Sequence, residues 1–335
     1  MKKLISLFIT VCFYSATILA QESMTVAFYN VENLFDTVDN PLTNDDEFTP
    51  NGDRHWNSSK YWDKLQNISK TIVAIDGENS PELIGLCEVE NDTVIKDLIE
   101  RSPLRHIGYQ YTMTQSKDRR GIDVALIYKR NYFKLIKSES LSVDISHING
   151  STTRDILHVT GRVVSGDTVD IYVCHWPSRL GGVEETNPLR KKAATVLKES
   201  IEKVYDDRRK PYIIIMGDLN DGSESPAVRD VLCAKPSTRA YNYNDRTLVT
   251  MLDECTDGSY RYNGEWETYD HFIISASFTN ELGCLSAVNA RICNFDFLLE
   301  EDKKYGGKKP FRNFNGYRYQ NGYSDHLPIA LEIEY

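Results

Sequence analysis

Tyr212 to Asn220 read YIIIMGDLN, a fully apolar strand that ends in Gly-Asp and runs into a turn carrying a carboxylate and an amide. Taken alone, Gly217 to Asn220 is only a turn, since Asp and Asn are usual turn residues. Working outward, the same pattern recurs. Upstream, Met24 to Asn30 (MTVAFYN) is a strand closed by Asn30, Glu82 to Glu88 (ELIGLCE) is a buried strand closed by Glu88, and Val169 to His175 (VDIYVCH) ends in His175. Downstream, Asp270 and His271 open the strand Tyr269 to Ser275, and Asp325 and His326 precede the strand Pro328 to Ile333. A charged group at the edge of an apolar strand is costly unless it is paired or binds a metal. Each such residue has a plain alternative as a helix cap, a packed edge residue or a turn. Their recurrence beside strands points to one shared polar site at one edge of the sheets.

Helices alternate with these strands. Ser58 or Ser59 is placed to cap a helix reaching about Ile75, with Leu65, Ile68, Ile72 and Ile75 on one face. A second helix is expected near Thr93 to Arg101 and a long one over Glu184 to Tyr205. The β-rich runs Gly121 to Tyr128, Leu157 to Val164 and Val169 to His175 follow at short spacing, as in an antiparallel sheet. Asp36 to Asn57 is a long polar loop, and Glu300 to Lys309 a charged, solvated one. There is no internal repeat, low-complexity tract or Gly/Ser linker, so residues 21–335 read as one α/β domain.

Residues 1–20 (MKKLISLFITVCFYSATILA) have two lysines, an apolar run and a small residue before Gln21, the pattern of a secretory signal peptide. The expected location is therefore periplasmic or extracellular, with no stable membrane span after cleavage. The chain has 39 Lys+Arg against 49 Asp+Glu, a net charge of −10, which argues against binding nucleic acid by bulk electrostatics but leaves a locally basic groove open. No C-x-x-C pair suggests a zinc or redox motif. Cys87 and Cys174 read as buried thiols, and Cys284 with Cys293, flanking a possible hairpin, as the best-placed disulfide pair. Nothing indicates oligomerisation, so a monomer is expected.

Asn30, Glu88, Asp218, Asn220 and Asp325 are hard oxygen donors, suited to Mg²⁺, Mn²⁺ or Ca²⁺ rather than Zn²⁺. Mg²⁺ typically takes one or two protein carboxylates and leaves room for substrate phosphate. The two histidines are then free for proton or phosphate work. Arg120, just before GIDVALIY, and Arg179, four residues after His175, could each bind phosphate bidentately or simply be exposed surface residues.

The motifs YNVENL (Tyr29 to Leu34), LCEVEN (Leu86 to Asn91), CHWPSR (Cys174 to Arg179), GDLN, YDHFIIS and SDHLPI (Ser324 to Ile329) together resemble the endonuclease/exonuclease/phosphatase superfamily. The resemblance spans roughly Met24 to Tyr335 and implies a four-layered α/β/β/α sandwich of two stacked mixed sheets, with the active site at one end. It implies that Glu88 is the principal divalent-metal ligand, with Asn30 and Asp325 on the metal side. Asp218 and Asn220 would position the nucleophile, Asp270 would orient His326, and His175 would serve as a second imidazole. Family members often carry Gln where this chain has Cys87; that side chain should point away from Glu88 on a strand. The implied activity is metal-dependent hydrolysis of a phosphodiester, with a nuclease among the options. An alternative is a phosphatase or phospholipase-type hydrolase of a small or lipid phosphoester. A non-catalytic binding module would be marked by loss of Glu88, Asp218 or His326, and all three are present.

Overall fold

The isoleucines of the quoted strand alternate between two cores. Ile214 and Met216 pack inward among Phe28, Ile171 and Phe272, whereas Ile213 and Ile215 pack outward against Leu197 and Ile201 of a long helix. Successive strand side chains point to opposite faces, so a fully apolar strand needs cover on both sides. The computed structural model describes residues 22–77, 79–237, 241, 242, 245–253, 255, 257–279 and 284–335. The expected signal peptide lies outside the described residues.

Eight strands lead through the first two thirds of the chain: β1 (Ser23–Leu34), β2 (Leu83–Val89), β3 (Tyr109–Met113), β4 (Asp123–Lys129), β5 (Phe133–Leu141), β6 (Ile156–Val163), β7 (Thr168–His175) and β8 (Tyr212–Asp218). One sheet has the order Ser286–Ile292, Ile329–Glu334, β1, β2, β4, β3. The other runs β5, β6, β7, β8, Asp270–Ser275, Leu248–Thr250, Lys235–Pro236. Besides the short parallel pair of Lys235–Pro236 with Leu248–Thr250, each sheet holds one longer parallel pair of neighbours, β1 with β2 and β7 with β8. A parallel pair needs a crossover, and helices supply it for both longer pairs. Helix α1 (Ser58–Ile75) joins β1 to β2 and buries Leu65, Ile68 and Ile72 against Ala27, Ile84 and Ile127. The helix Val183–Asp207 joins β7 to β8. The result is the four-layered α/β/β/α sandwich, with one apolar core between the sheets and one under each helix.

Three details differ from expectation. The helix cap is Asn57, whose side chain accepts from the Lys60 N–H at 3.2 Å, not Ser58 or Ser59. The runs containing β4, β6 and β7 do not share a sheet: β4 pairs with β2 and β3, and the chain crosses to the second sheet at β5. Cys284 and Cys293 are both free thiols. They bracket the single strand Ser286–Ile292, not a hairpin. At roughly 3.3 Å per residue, its ends lie well beyond the reach of a disulfide.

Candidate active site

Strand register assembles the centre. In the parallel pairing of β7 with β8, His175 lies beside Asp218; in the antiparallel pairing of Asp270–Ser275 with β8, Asp270 lies on Asp218's other side. Val173, Met216 and Phe272, two residues away from each, belong to the core between the sheets. With a side-chain period of two, His175, Asp218 and Asp270 therefore share that inward face at the strand ends. Asn30 follows inward-facing Phe28 by the same count. Gly217 supports the row: a Cβ there would lie 2.4 Å from the Cys174 carbonyl oxygen, so only glycine lets β8 approach β7 so closely at this point.

Glu88 breaks the alternation. Cys87 faces the inter-sheet core, so Glu88 would face away on a regular strand. Instead Glu88 adopts a left-handed φ of 61°, with a register shift between Cys87 and Val89, and its carboxylate turns back to the cluster. Its Oε2 accepts from the Asn33 N–H at 2.8 Å, and its Oε1 lies 3.9 Å from His175 Nε2. Glu32 and Asn33 are left-handed as well, so β1 kinks at the point where it meets Glu88.

One atom, Asp218 Oδ2, is the meeting point. Asn30 Nδ2 donates to it at 3.1 Å, and His175 Nε2 and His326 Nε2 each lie 3.7 Å away. Its twin Oδ1 accepts from the Asn220 N–H at 2.8 Å. Asn220, left-handed at φ 50°, turns its own amide to the Trp176 carbonyl at 3.1 Å. Asp270 Oδ2 bonds His326 Nδ1 at 2.7 Å. Ser324 ties the last segment down: its hydroxyl donates to the Asn30 carbonyl at 2.7 Å and accepts from the His326 N–H at 3.1 Å. Residues 30, 88, 175, 218, 270 and 326, distant in sequence, thus meet in one buried cluster.

Its electrostatics are uneven. Burial raises the Asp218 carboxyl to about 7; His326 opposes that rise, and Asp270 and Glu88 add to it. Burial alone would lower His326, but the Asp270 and Asp218 carboxylates outweigh it and raise the imidazole to about 10. His175 is held well below the ordinary histidine range by burial and then by Arg154, Arg120 and His326. The two imidazoles are therefore different chemical species near neutrality: His326 is charged and His175 is neutral.

The remaining expected residues divide. Arg120 sits at the mouth, with Nη2 3.5 Å from Glu88 Oε2 and a hydrogen bond to Asn33 Oδ1. Asp325 is turned to Arg312, whose Nη2 donates to it at 2.7 Å. Arg179 is engaged elsewhere: it donates to Glu267 at 2.9 Å, to the Tyr269 hydroxyl at 3.0 Å and to Asp221 at 2.7 Å. Those bonds clamp the turn after Asn220 and leave Arg179 little donor capacity for substrate. Sequence reading missed Arg154, which donates to the Trp176 carbonyl at 2.6 Å, and Tyr260, whose ring lies 4.7 Å from that of His326. It also missed Arg312. All three lie outside the quoted motifs, and only the pairing of Tyr260 with His326 across an isolated bridge brings that tyrosine in.

A hard divalent cation suits this donor set. Asp218 and Asp270 each offer a carboxylate oxygen within 4.8 Å of one another, Glu88 adds a third carboxylate, and Asp270 Oδ1 is buried without a hydrogen bond, whereas His326, protonated, has no lone pair to offer a metal. A cation would offset the cost of crowding buried carboxylates together. Among the described residues no helix is long and apolar enough to cross a membrane.

Solved structures of the same fold include a mannosyl-6-phosphatase from Bacteroides thetaiotaomicron (TM-score 0.61, 14% identity, covering 93% of this chain and 100% of that one). The human Nocturnin catalytic domain with bound sulfate has a TM-score of 0.56 and 16% identity, covering 93% of this chain and 94% of that one. D. rerio TDP2 complexed with single strand DNA product has a TM-score of 0.55 and 12% identity, covering 93% of this chain and 98% of that one. No curated protein sequence is significantly similar to the chain. A sequence profile of the Endonuclease/Exonuclease/phosphatase family matches residues 25–335, and the chain belongs to that family of phosphoester hydrolases.

Proposed function

We propose that the protein is an exported, divalent-metal-dependent hydrolase that cleaves a phosphodiester by water attack. The observation carrying this reading is the convergence of Asn30, His175 and His326 on Asp218 Oδ2, with Glu88 facing the same space. Glu88, with Asn30 or Asp325, would hold a Mg²⁺, Mn²⁺ or Ca²⁺ ion, which when bound supplies Lewis-acid stabilisation of phosphoryl oxygen. Asp218 and Asn220 align the attacking water and take part of its hydrogen bonding. His326, charged and fixed through Nδ1 by Asp270, presents its Nε2 proton to developing negative charge. His175, neutral, suits hydrogen bonding to a phosphoryl oxygen better than protonating a leaving group. Arg120, half-exposed beside Glu88, is placed to meet substrate phosphate from the mouth.

A second reading, hydrolysis of a small phosphoester, is favoured by the acidic balance of the chain. The fold accommodates both, since one relative is a mannosyl-6-phosphatase and another holds a single strand DNA product. A panel of plasmid DNA, RNA, bis-(p-nitrophenyl) phosphate, p-nitrophenyl phosphate and sphingomyelin separates them. In Mg²⁺ the account expects hydrolysis of the aryl diester, abolished by EDTA and restored by excess Mg²⁺. Cleavage of the monoester alone would favour the phosphatase reading. Inactivity on the whole panel, or full activity in EDTA, would count against metal-dependent catalysis.

A further inference from the structure

A recess of about 190 Å³ is lined in part by Glu32 and Asn33 of the β1 kink. Its polar wall is Glu32, Asn33, Arg54 and Arg312, and Phe48, Phe314 and Gly316 complete it. It adjoins the catalytic centre through shared residues. Asn33 holds Glu88 through its backbone N–H, and Arg312 bonds Asp325. One side of the recess comes from the long polar loop, whose Phe48 and Trp56 pack on Phe35 and Phe314. That loop has no part in the catalytic cluster itself.

The lining selects among ligand chemistries. A phosphate would need spare positive charge, but Arg54 already pairs with Glu47 at 3.1 Å and Arg312 lies between Asp325 at 2.7 Å and Glu32 at 3.6 Å. A nucleobase would need a bare aromatic face. Phe48 is stacked on Phe35 at 4.3 Å and covered by Arg54 at 4.8 Å, and the same guanidinium lies 4.9 Å from the centre of the Phe314 ring. A ligand therefore meets fixed, planar hydrogen-bonding groups of both signs in close alternation. Arg312 Nε is buried and faces Glu32 Oε1 at 3.6 Å, too far for a hydrogen bond. The space equals about six water volumes, the size of one ring. Paired carboxylate, amide and guanidinium groups of this kind match adjacent hydroxyls, which donate and accept at once.

We propose that this recess is a sugar subsite that holds the polyhydroxylated part of the phosphoester whose phosphorus lies at the catalytic cluster. The assignment rests on the phosphoesterase reading above and narrows it. Arg54 is the specificity-determining residue: its guanidinium bonds Glu47 and the Gly316 carbonyl and lies against Phe48, Phe314 and Tyr317, and it touches none of the catalytic cluster.

The test pairs binding with a sugar-free reaction. Wild-type protein and Arg54→Leu are titrated calorimetrically in Mg²⁺ with a hexose 6-phosphate, a nucleoside 5′-monophosphate and inorganic phosphate. Both are also assayed on bis-(p-nitrophenyl) phosphate. The wild type should bind the hexose phosphate at least tenfold more tightly than inorganic phosphate or the nucleotide. Arg54→Leu should lose that advantage while hydrolysing the aryl diester within threefold of wild type. If Arg54→Leu is poorly folded, Gly316→Asn takes its place. Gly316 is left-handed, a conformation Asn tolerates, and has no atom within 4 Å of its Cβ position, so the substitution adds bulk without a clash. Equal affinity for hexose phosphate and inorganic phosphate, preference for the nucleotide, or parallel loss of binding and aryl-diester hydrolysis in a folded variant would overturn the subsite. A wild type that binds hexose phosphate but hydrolyses no ester would instead retain the subsite and refute the catalytic reading.

Discussion

Glu88→Gln is expected to cut turnover by about 10³-fold in Mg²⁺ while leaving the protein folded. The amide keeps the size of the carboxylate and can still accept from the Asn33 N–H through its oxygen. What it loses is the charge that would hold a hard cation, and with it the Lewis-acid stabilisation of phosphoryl oxygen. The kink that positions residue 88 is a backbone feature shared with Glu32 and Asn33, so the substitution does not remove it. Circular dichroism and the melting transition should match the wild type. Steady-state kinetics on bis-(p-nitrophenyl) phosphate read the effect. Undiminished kcat in the variant would remove Glu88 from the mechanism.

Asp270→Asn should be nearly as damaging, by about 10³–10⁴-fold in kcat, the scale on which an imidazole loses its orienting carboxylate. Asp270 is buried, and its bond to His326 Nδ1 is the only hydrogen bond to that ring among the described residues. An amide there cannot favour the imidazolium. The sign of the pH effect follows. The His326 pKa is raised in the folded protein, so the stabilisation from its pairing is complete below the ordinary histidine value of 6.5. That stabilisation is lost as pH rises through about 10. Removing Asp270 takes away one of the carboxylates that hold the pKa up. The basic limb of the activity profile should therefore move toward neutral pH, and the extra stability at neutral pH should shrink. A variant with an unshifted basic limb would show that Asp270 does not govern the ionisation of His326.

The parts of the site legible in the sequence are those governed by a period of two. Asn30 follows Phe28, His175 follows Val173, Asp218 follows Met216 and Asp270 precedes Phe272, each on the inward face of an apolar strand. A reader of such runs can see polar ends and infer that they share a face. Glu88 obeys no such count, because its left-handed backbone turns it round: its place at the strand end was legible, but its direction was not, and its role as principal metal ligand came from the family resemblance. Arg154, Tyr260 and Arg312 sit in segments whose path is set by tertiary contacts rather than by local pattern. The same lack of local signal hid the short strands Leu248–Thr250 and Lys235–Pro236 and the switch of sheets after β4. Arg179 illustrates the reverse problem. Its spacing from His175 suggested phosphate, whereas Glu267, Tyr269 and Asp221 use its donors.

The central claim is that these strand ends gather around one hard cation that also meets phosphate. Anomalous diffraction from crystals soaked in Mn²⁺ and inorganic phosphate tests it directly. The account predicts a manganese peak within coordination distance of a Glu88 oxygen, with a phosphate oxygen on the same ion and His326 Nε2 within hydrogen-bond reach of that phosphate. Manganese bound away from Glu88, or phosphate held at a site not shared with His326, would contradict it.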